Sequence, residues 1–254
     1  MLYIILIFFL TFFLQKIKLI SNGILCITEK QKLVIMSKLI VFDTETTGLP
    51  PKGIRNVTKE NLDQWPHVVQ ISWVMYDTTT DKLLKTSDSI IKLPPGVYIT
   101  EENYSFHGIS NKISESRGKD VNVVLREFLE DCKDVDVLVG HNINFDYNML
   151  KTVMMRNASS YTPEDIKLLA SRRKYCTARE TYGYCNIQTV NSAGEKYIKY
   201  PTLAELYEKL FHEKPKNLHN SMNDVLITLR CLVKFRFDKD VNNEVKSVIR
   251  NLLS

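Results

Sequence analysis

Two rhythms of apolar positions organise this chain. The run Leu39-Ile40-Val41-Phe42 is apolar on both strand faces, which predicts a buried central strand. It passes into the polar stretch Asp43-Thr44-Glu45-Thr46-Thr47-Gly48 and a loop over residues 50–66. Residues 68–76 and 82–91 read as two further strands joined by a polar turn at 77–81. Pro94-Pro95-Gly96 interrupts the sheet, after which the period changes. Val121, Val124, Leu125, Phe128 and Leu129 share one side of a helix over 121–132, with Asp120 as its N-cap. Residues 135–139 give another apolar strand, and Phe145, Met149, Leu150 and Val153 mark one face of a helix over 145–155. Residues 161–200 read as irregular, polar and in places basic. Amphipathic helices are predicted over 203–211 and 225–235, with one more from residue 241. Strands first, then helices alternating with strands, imply an α/β domain with a mixed central β-sheet flanked by helices.

The first 35 residues do not fit this scheme. Residues 2–14 are almost unbroken apolar sequence, followed by Lys16 and Lys18. That run is short of the roughly 20 residues a spanning helix needs. A secretory signal would carry its charge before the apolar run rather than after it. The expectation is an upstream extension over 1–35, with Met36 opening the working domain at 36–236 and a helical tail at 237–254. The alternative is a membrane anchor over 2–20 with its lysines on the cytoplasmic side.

Composition changes the picture little. The 254 residues, 44% hydrophobic, suit one domain with a full core. The formal charge of +5 sits mostly in the extension, where Lys16, Lys18, Lys30 and Lys32 face only Glu29, so charge alone does not point to a nucleic-acid partner. Five scattered cysteines without Cys-x-x-Cys spacing suggest neither a disulfide framework nor a zinc site, and imply a reducing, intracellular compartment.

The chemistry lies at element ends. Asp43 and Glu45 are two apart on an extended backbone and project from one face where the first strand ends. Alone, such a pair is common at a strand exit. Asp146, in His141-Asn142-Ile143-Asn144-Phe145-Asp146, falls at a strand–helix junction, where α/β sheets place their sites, although Asn144 or Asp146 would also serve as a helix cap. Asp224, in His219-Asn220-Ser221-Met222-Asn223-Asp224, opens a helix and has capping-box spacing from Ser221. Together the four carboxylates form a set that repels itself: two like charges about 4 Å apart cost roughly 4 kcal/mol at an effective dielectric of 20. Divalent cations relieve that repulsion. Oxygen donors without cysteine select hard ions, Mg²⁺ or Mn²⁺, and a pair of such ions suits phosphodiester hydrolysis. A histidine titrating near neutrality, five residues before a metal-binding Asp, is placed to take a proton from water.

Asp43-Thr44-Glu45-Thr46-Thr47-Gly48-Leu49, His141-Asn142-x-x-Phe145-Asp146 and His219-x-x-x-x-Asp224 resemble, in order and spacing, the three exonuclease motifs of the DEDDh family. Phe106-His107-Gly108-Ile109 resembles a further element of that family, and the likeness spans about 37–234. The resemblance implies an RNase H-like fold and 3′→5′ removal of nucleoside 5′-monophosphates from DNA or RNA. It implies Asp43, Glu45, Asp146 and Asp224 as carboxylates for two Mg²⁺ or Mn²⁺ ions and His219 as general base. It further implies Glu45 and Thr46 at the 3′-hydroxyl end, Leu49 against the terminal base, and His107 and Phe145 lining the nucleotide pocket. The expected partner is nucleic acid with a free 3′ end, single-stranded in the first instance, with a polymerase or another replication or repair protein as a further partner.

The basic run Arg172-Arg173-Lys174 with Arg179 reads either as a phosphate grip or as a solvated loop, and Tyr182 and Tyr184 either as stacking residues or as core. The rival to an active enzyme is a non-catalytic nucleic-acid-binding module of the same fold, whose mark would be a missing carboxylate or histidine. A helix-turn-helix reading of helices over 203–211 and 221–235 fails on their connection of nine residues, against the 3–4 such motifs use.

Overall fold

The computed structural model describes residues 37–215 and 218–253. The extension at 1–35 lies outside them. Strand β1 (Lys38–Thr46) is central in a five-stranded sheet with β2 (Val68–Asp77), β3 (Lys82–Ile90), β4 (Val137–Gly140) and β5 (Arg173–Cys176). The order is β3-β2-β1-β4-β5; β1 pairs antiparallel with β2 and parallel with β4, and β4 pairs parallel with β5. The sheet is mixed, as the pattern predicts, and is flanked by helices in an RNase H-like arrangement.

Period-two alternation divides β1 between two cores. Ile40 and Phe42 face helices α3 (Val121–Cys132) and α4 (Asn144–Arg156), packing with Val124, Phe128, Met149 and Leu150. Leu39 and Val41 face α9 (Ser221–Phe237), packing with Val225, Leu226 and Leu229. Val241, Val245 and Ile249, in and just before α10 (Asn243–Leu253), fill the same layer. A strand covered on both sides needs apolar side chains on both, which is why its sequence reads as a continuous run. Odd-numbered positions therefore look towards α9, and Asp43 and Glu45 extend that row beyond the apolar part.

Between sheet and helices lie α1 (Glu101–His107) and α2 (Asn111–Arg117), which the periodicity did not reveal. Both are short and are defined by caps: Thr100 accepts from Asn103 N–H, Ser110 accepts from Ile113 N–H, and Gly108 closes α1 in the left-handed region at φ 70°.

Residues 161–200 are not irregular, as the sequence suggested. They hold α5 (Pro163–Ser171), β5, two single-turn helices α6 (Thr177–Glu180) and α7 (Tyr182–Cys185), and a hairpin of β6 (Ile187–Val190) with β7 (Lys196–Lys199). Helix α8 (Leu203–Phe211) follows and packs on α9 through Leu206, Leu210 and Ile227. The loop at 50–66 is tied to α4: Asn144 and Asn148 side chains donate to Arg55 O at 2.9 and 3.1 Å, and Arg156 donates to Leu62 O, Trp65 O and Pro66 O. Among the described residues no helix is long and apolar enough to cross a membrane.

Candidate active site

Three carboxylates meet at the end of β1. One oxygen each of Asp43, Glu45 and Asp224 lies within 4.8 Å of the others. Strand parity puts Asp43 and Glu45 on the α9 side, and the first turn of α9 brings Asp224 to them. A bulge in the β1–β2 register between Glu45 and Thr46 ends the regular pairing there.

The start of α9 is held from below. Ser221 Oγ hydrogen-bonds to Ser72 Oγ, Ser221 N–H donates to Gln70 Oε1 at 3.4 Å, and Asp88 accepts from both Gln70 and Ser72. The cap of α9 is Asn220, whose side chain accepts from Met222 and Asn223 N–H, so the expected capping box from Ser221 to Asp224 does not form. Asp224 is thereby free for other work. Its Oδ2 accepts from His219 N–H at 3.4 Å, while its buried Oδ1 has no protein partner.

Asp146 stands beside this group rather than within it. Its Oδ1 accepts from Thr44 N–H at 3.0 Å and from Thr44 Oγ1 at 2.8 Å. Neither it nor Asn144 caps α4, whose N-cap position is Ile143 with no side-chain bond. The capping readings of Asp146 and Asp224 both fail.

Electrostatics register the crowding. Burial, then Asp146, Asp224 and Glu45, hold Asp43 well above the usual carboxylate range. Burial followed by Asp224 and Asp146 pushes Glu45 up to about 8. Burial raises Asp146 to about 7 against the pull of its Thr44 hydrogen bonds, and raises Asp224 to about 7 against that of His219 N–H. The donor set fits a hard divalent cation: all-oxygen, mutually repelling, and with an unpartnered buried oxygen on Asp224.

This has a measurable consequence. Without metal, the folded chain keeps protons on these groups up to pH about 7–8, whereas the unfolded chain releases them near pH 4. The unfolded state therefore binds fewer protons across that window, and stability falls as pH rises through it. In EDTA the melting temperature is expected to drop between pH 5 and 8.5, and Mg²⁺ is expected to restore it, most at the alkaline end. A metal-free melting temperature flat across that range would contradict the electrostatic assignment.

The remaining residues divide. His219 is exposed on the loop before α9, in the left-handed region at φ 70°, with its ring edge-on to Phe106 at 6.0 Å. His107 is 7% exposed; its Nδ1 accepts from Ile109 N–H, and the other side of its ring is turned to the Thr46 backbone. Thr46 Oγ1 donates to Gly48 O at 2.6 Å, and Leu49 is 79% exposed. Phe145 is half-buried, with one face of its ring towards Trp65 of the 50–66 loop at 6.5 Å. His141 bridges Thr177 Oγ1 and Pro201 O, both at 2.9 Å, and is a brace. Arg172 donates to Val135 O and Leu168 O and is a strand-end clamp rather than a phosphate grip. Tyr184 is exposed against Phe235 and is not core.

Sequence reasoning missed Thr44, the anchor of Asp146, and the support formed by Gln70, Ser72 and Ser221. The polar Gln70 and Ser72 inside an otherwise apolar strand were the available signal.

Residues 40–232 match the profile of the family described as Exonuclease (RNase T). The chain belongs to this exonuclease family. It is also similar to a PolC-type DNA polymerase III of Caldanaerobacter subterraneus subsp. tengcongensis, 25% identical over 222 residues, covering 85% of this chain but 13% of that protein. Among solved structures it resembles E. coli Exonuclease I in complex with a dT13 oligonucleotide (TM-score 0.57, 17% identity, covering 80% of this chain and 42% of that one). It also resembles a 3′-exonuclease described in 3′-end-specific recognition of histone mRNA stem-loop (TM-score 0.58, 12% identity, covering 81% and 84%). The chain thus spans less than half of the polymerase and Exonuclease I relatives, and these structural likenesses establish the shared fold.

Proposed function

We propose that the chain is a 3′→5′ exonuclease of the DEDDh type, acting on nucleic acid with a free 3′ end. The observation that carries this reading is the meeting of Asp43, Glu45 and Asp224, with Asp146 beside them, in a member of the exonuclease family. Asp43, Glu45 and Asp224 would hold one Mg²⁺ or Mn²⁺ ion and Asp146 would share a second, and such ions lower the pKa of water and offset charge at phosphorus.

The chain's own groups do the rest. His219 accepts the proton of the attacking water at its imidazole, on a loop that its own N–H ties to Asp224. Glu45 and the Thr46 backbone position the terminal 3′-hydroxyl, and exposed Leu49 packs against the last base. Water adds to phosphorus, the bond to the preceding nucleotide's 3′-oxygen breaks, and a nucleoside 5′-monophosphate leaves a new 3′-hydroxyl. Similarity to a PolC-type polymerase supports a polymerase as partner.

The test uses 5′-labelled single strands of DNA and of RNA ending in a 3′-hydroxyl or a 3′-phosphate, together with a circular strand. A stepwise ladder and monophosphate products are expected from the 3′-hydroxyl strands alone. Internal cuts in the circle would establish an endonuclease, and binding without any cleavage would establish the non-catalytic module.

A further inference from the structure

A cavity of about 640 Å³ opens where β4 runs into His141-Asn142-Ile143-Asn144 and β5 ends at Cys176. Strand β4 runs parallel to β1 with Val139 opposite Val41, so the residues after β4 lie at the same end of the sheet as Asp43. The volume lies in the range of roughly 300–1,000 Å³ typical of small-ligand sites. Ala178, Pro201 and Leu203 provide apolar wall, and no carboxylate lines the cavity. At its edge stand Lys174, Arg179 and Tyr200. Lys174 Nζ sits 3.9 Å over the Tyr147 ring, without a carboxylate at ion-pair distance among the described residues. Arg179 reaches only its exposed neighbour Glu180, at 3.4 Å. Tyr200 is 59% exposed, with its inner side against Tyr182 at 5.1 Å. The walls are held in place by His141, which joins α6 at Thr177 to the hairpin's return at Pro201.

Sheet order gives the cavity a direction. Helix α1 sits on the β2 side of β1, where Asn103 Nδ2 donates to Thr47 O at 2.8 Å. The cavity lies on the opposite side of β1, at the ends of β4 and β5. The carboxylates fall between the two.

We propose that this cavity receives the nucleotide preceding the cleaved one in a single-stranded substrate, with Tyr200 stacking on its base and Lys174 and Arg179 pairing with its 5′-phosphate. This rests on the nuclease reading above and extends it with a binding site for the strand. Apolar walls suit a base and sugar, the paired cations suit a phosphate, and exposed tyrosine is a sequence-tolerant stacking surface.

The experiment compares wild type, Tyr200→Ala and Arg179→Glu on two substrates. One is a single-stranded 12-mer; the other is the 4-nitrophenyl ester of thymidine 5′-monophosphate, which has no preceding nucleotide. Each variant is expected to raise KM on the 12-mer about tenfold, with kcat within about twofold and hydrolysis of the ester unchanged. Arg179→Glu is also expected to flatten the salt dependence of KM. Both side chains are exposed, so melting temperatures are expected to match wild type. An unchanged KM on the 12-mer, or an equal loss on both substrates, overturns the proposal. Failure of wild type to hydrolyse either substrate overturns the nuclease reading, and this site with it.

Discussion

Asp224→Asn is expected to reduce 3′-end hydrolysis by several orders of magnitude while making the metal-free protein more stable at alkaline pH. The two effects share a cause. Asp224 Oδ1 is buried without a protein partner, and its charge is opposed by burial and by the neighbouring carboxylates. The amide keeps the shape and can still accept from His219 N–H, but it removes one negative charge from a crowded set. A site that serves catalysis at a cost in stability behaves this way, whereas a residue conferring only structure loses both together. Activity and metal-free melting temperature at pH 8 check it, with Asp43→Asn as a parallel case. Retention of full activity in Asp224→Asn would remove the metal-site assignment.

His219→Ala is expected to lower turnover by about 10²–10⁴-fold, the usual contribution of a general base. The link between this loop and Asp224 runs through the backbone N–H of His219 and survives truncation of the side chain. Metal affinity, read by the Mg²⁺-induced rise in melting temperature, is therefore expected to stay near wild type. The loss is expected in kcat, with KM for the 3′-hydroxyl strand near wild type. Phe106→Ala, which removes the ring beside the imidazole, is expected to give a smaller loss in kcat. A turnover untouched by His219→Ala would make the histidine a bystander.

What the sequence revealed follows from what each element depends on. Strand β1 and helices α3 and α8 were legible because their apolar periodicity and caps are local: Asp120 accepts from Asn122 N–H, and Thr202 forms a capping box with Glu205. Strand β5 was not, because Arg173-Lys174-Tyr175-Cys176 has little apolar content and its pairing is set by the exposed edge of β4. Helix α5 was readable in principle, since Thr162, Pro163 and Asp165 form a capping box with proline at the first turn. The first turn of α9 was hidden because Asn220, not Ser221, is its cap. The four carboxylates were found through element ends and motif spacing. Their division into a group of three and a neighbour held by Thr44 depends on strand parity and on one hydrogen-bonded side chain, neither of which spacing alone reveals.

The contacts that assemble the carboxylates close long loops in the chain. Thr44 and Asp146 are 102 positions apart, and Ser72 meets Ser221 across 149. Contacts so distant in sequence form slowly and late, since the entropy of closing each loop is lost before the contact gains anything. During synthesis, a chain that has emerged only as far as β5 carries Asp43, Glu45 and Asp146 but has neither Asp224 nor the helix that covers the Leu39–Val41 face of the sheet. Such a chain holds three of the four carboxylates and lacks the fourth. On the proposed assignment, the metal site is completed in one step, with the arrival of α9.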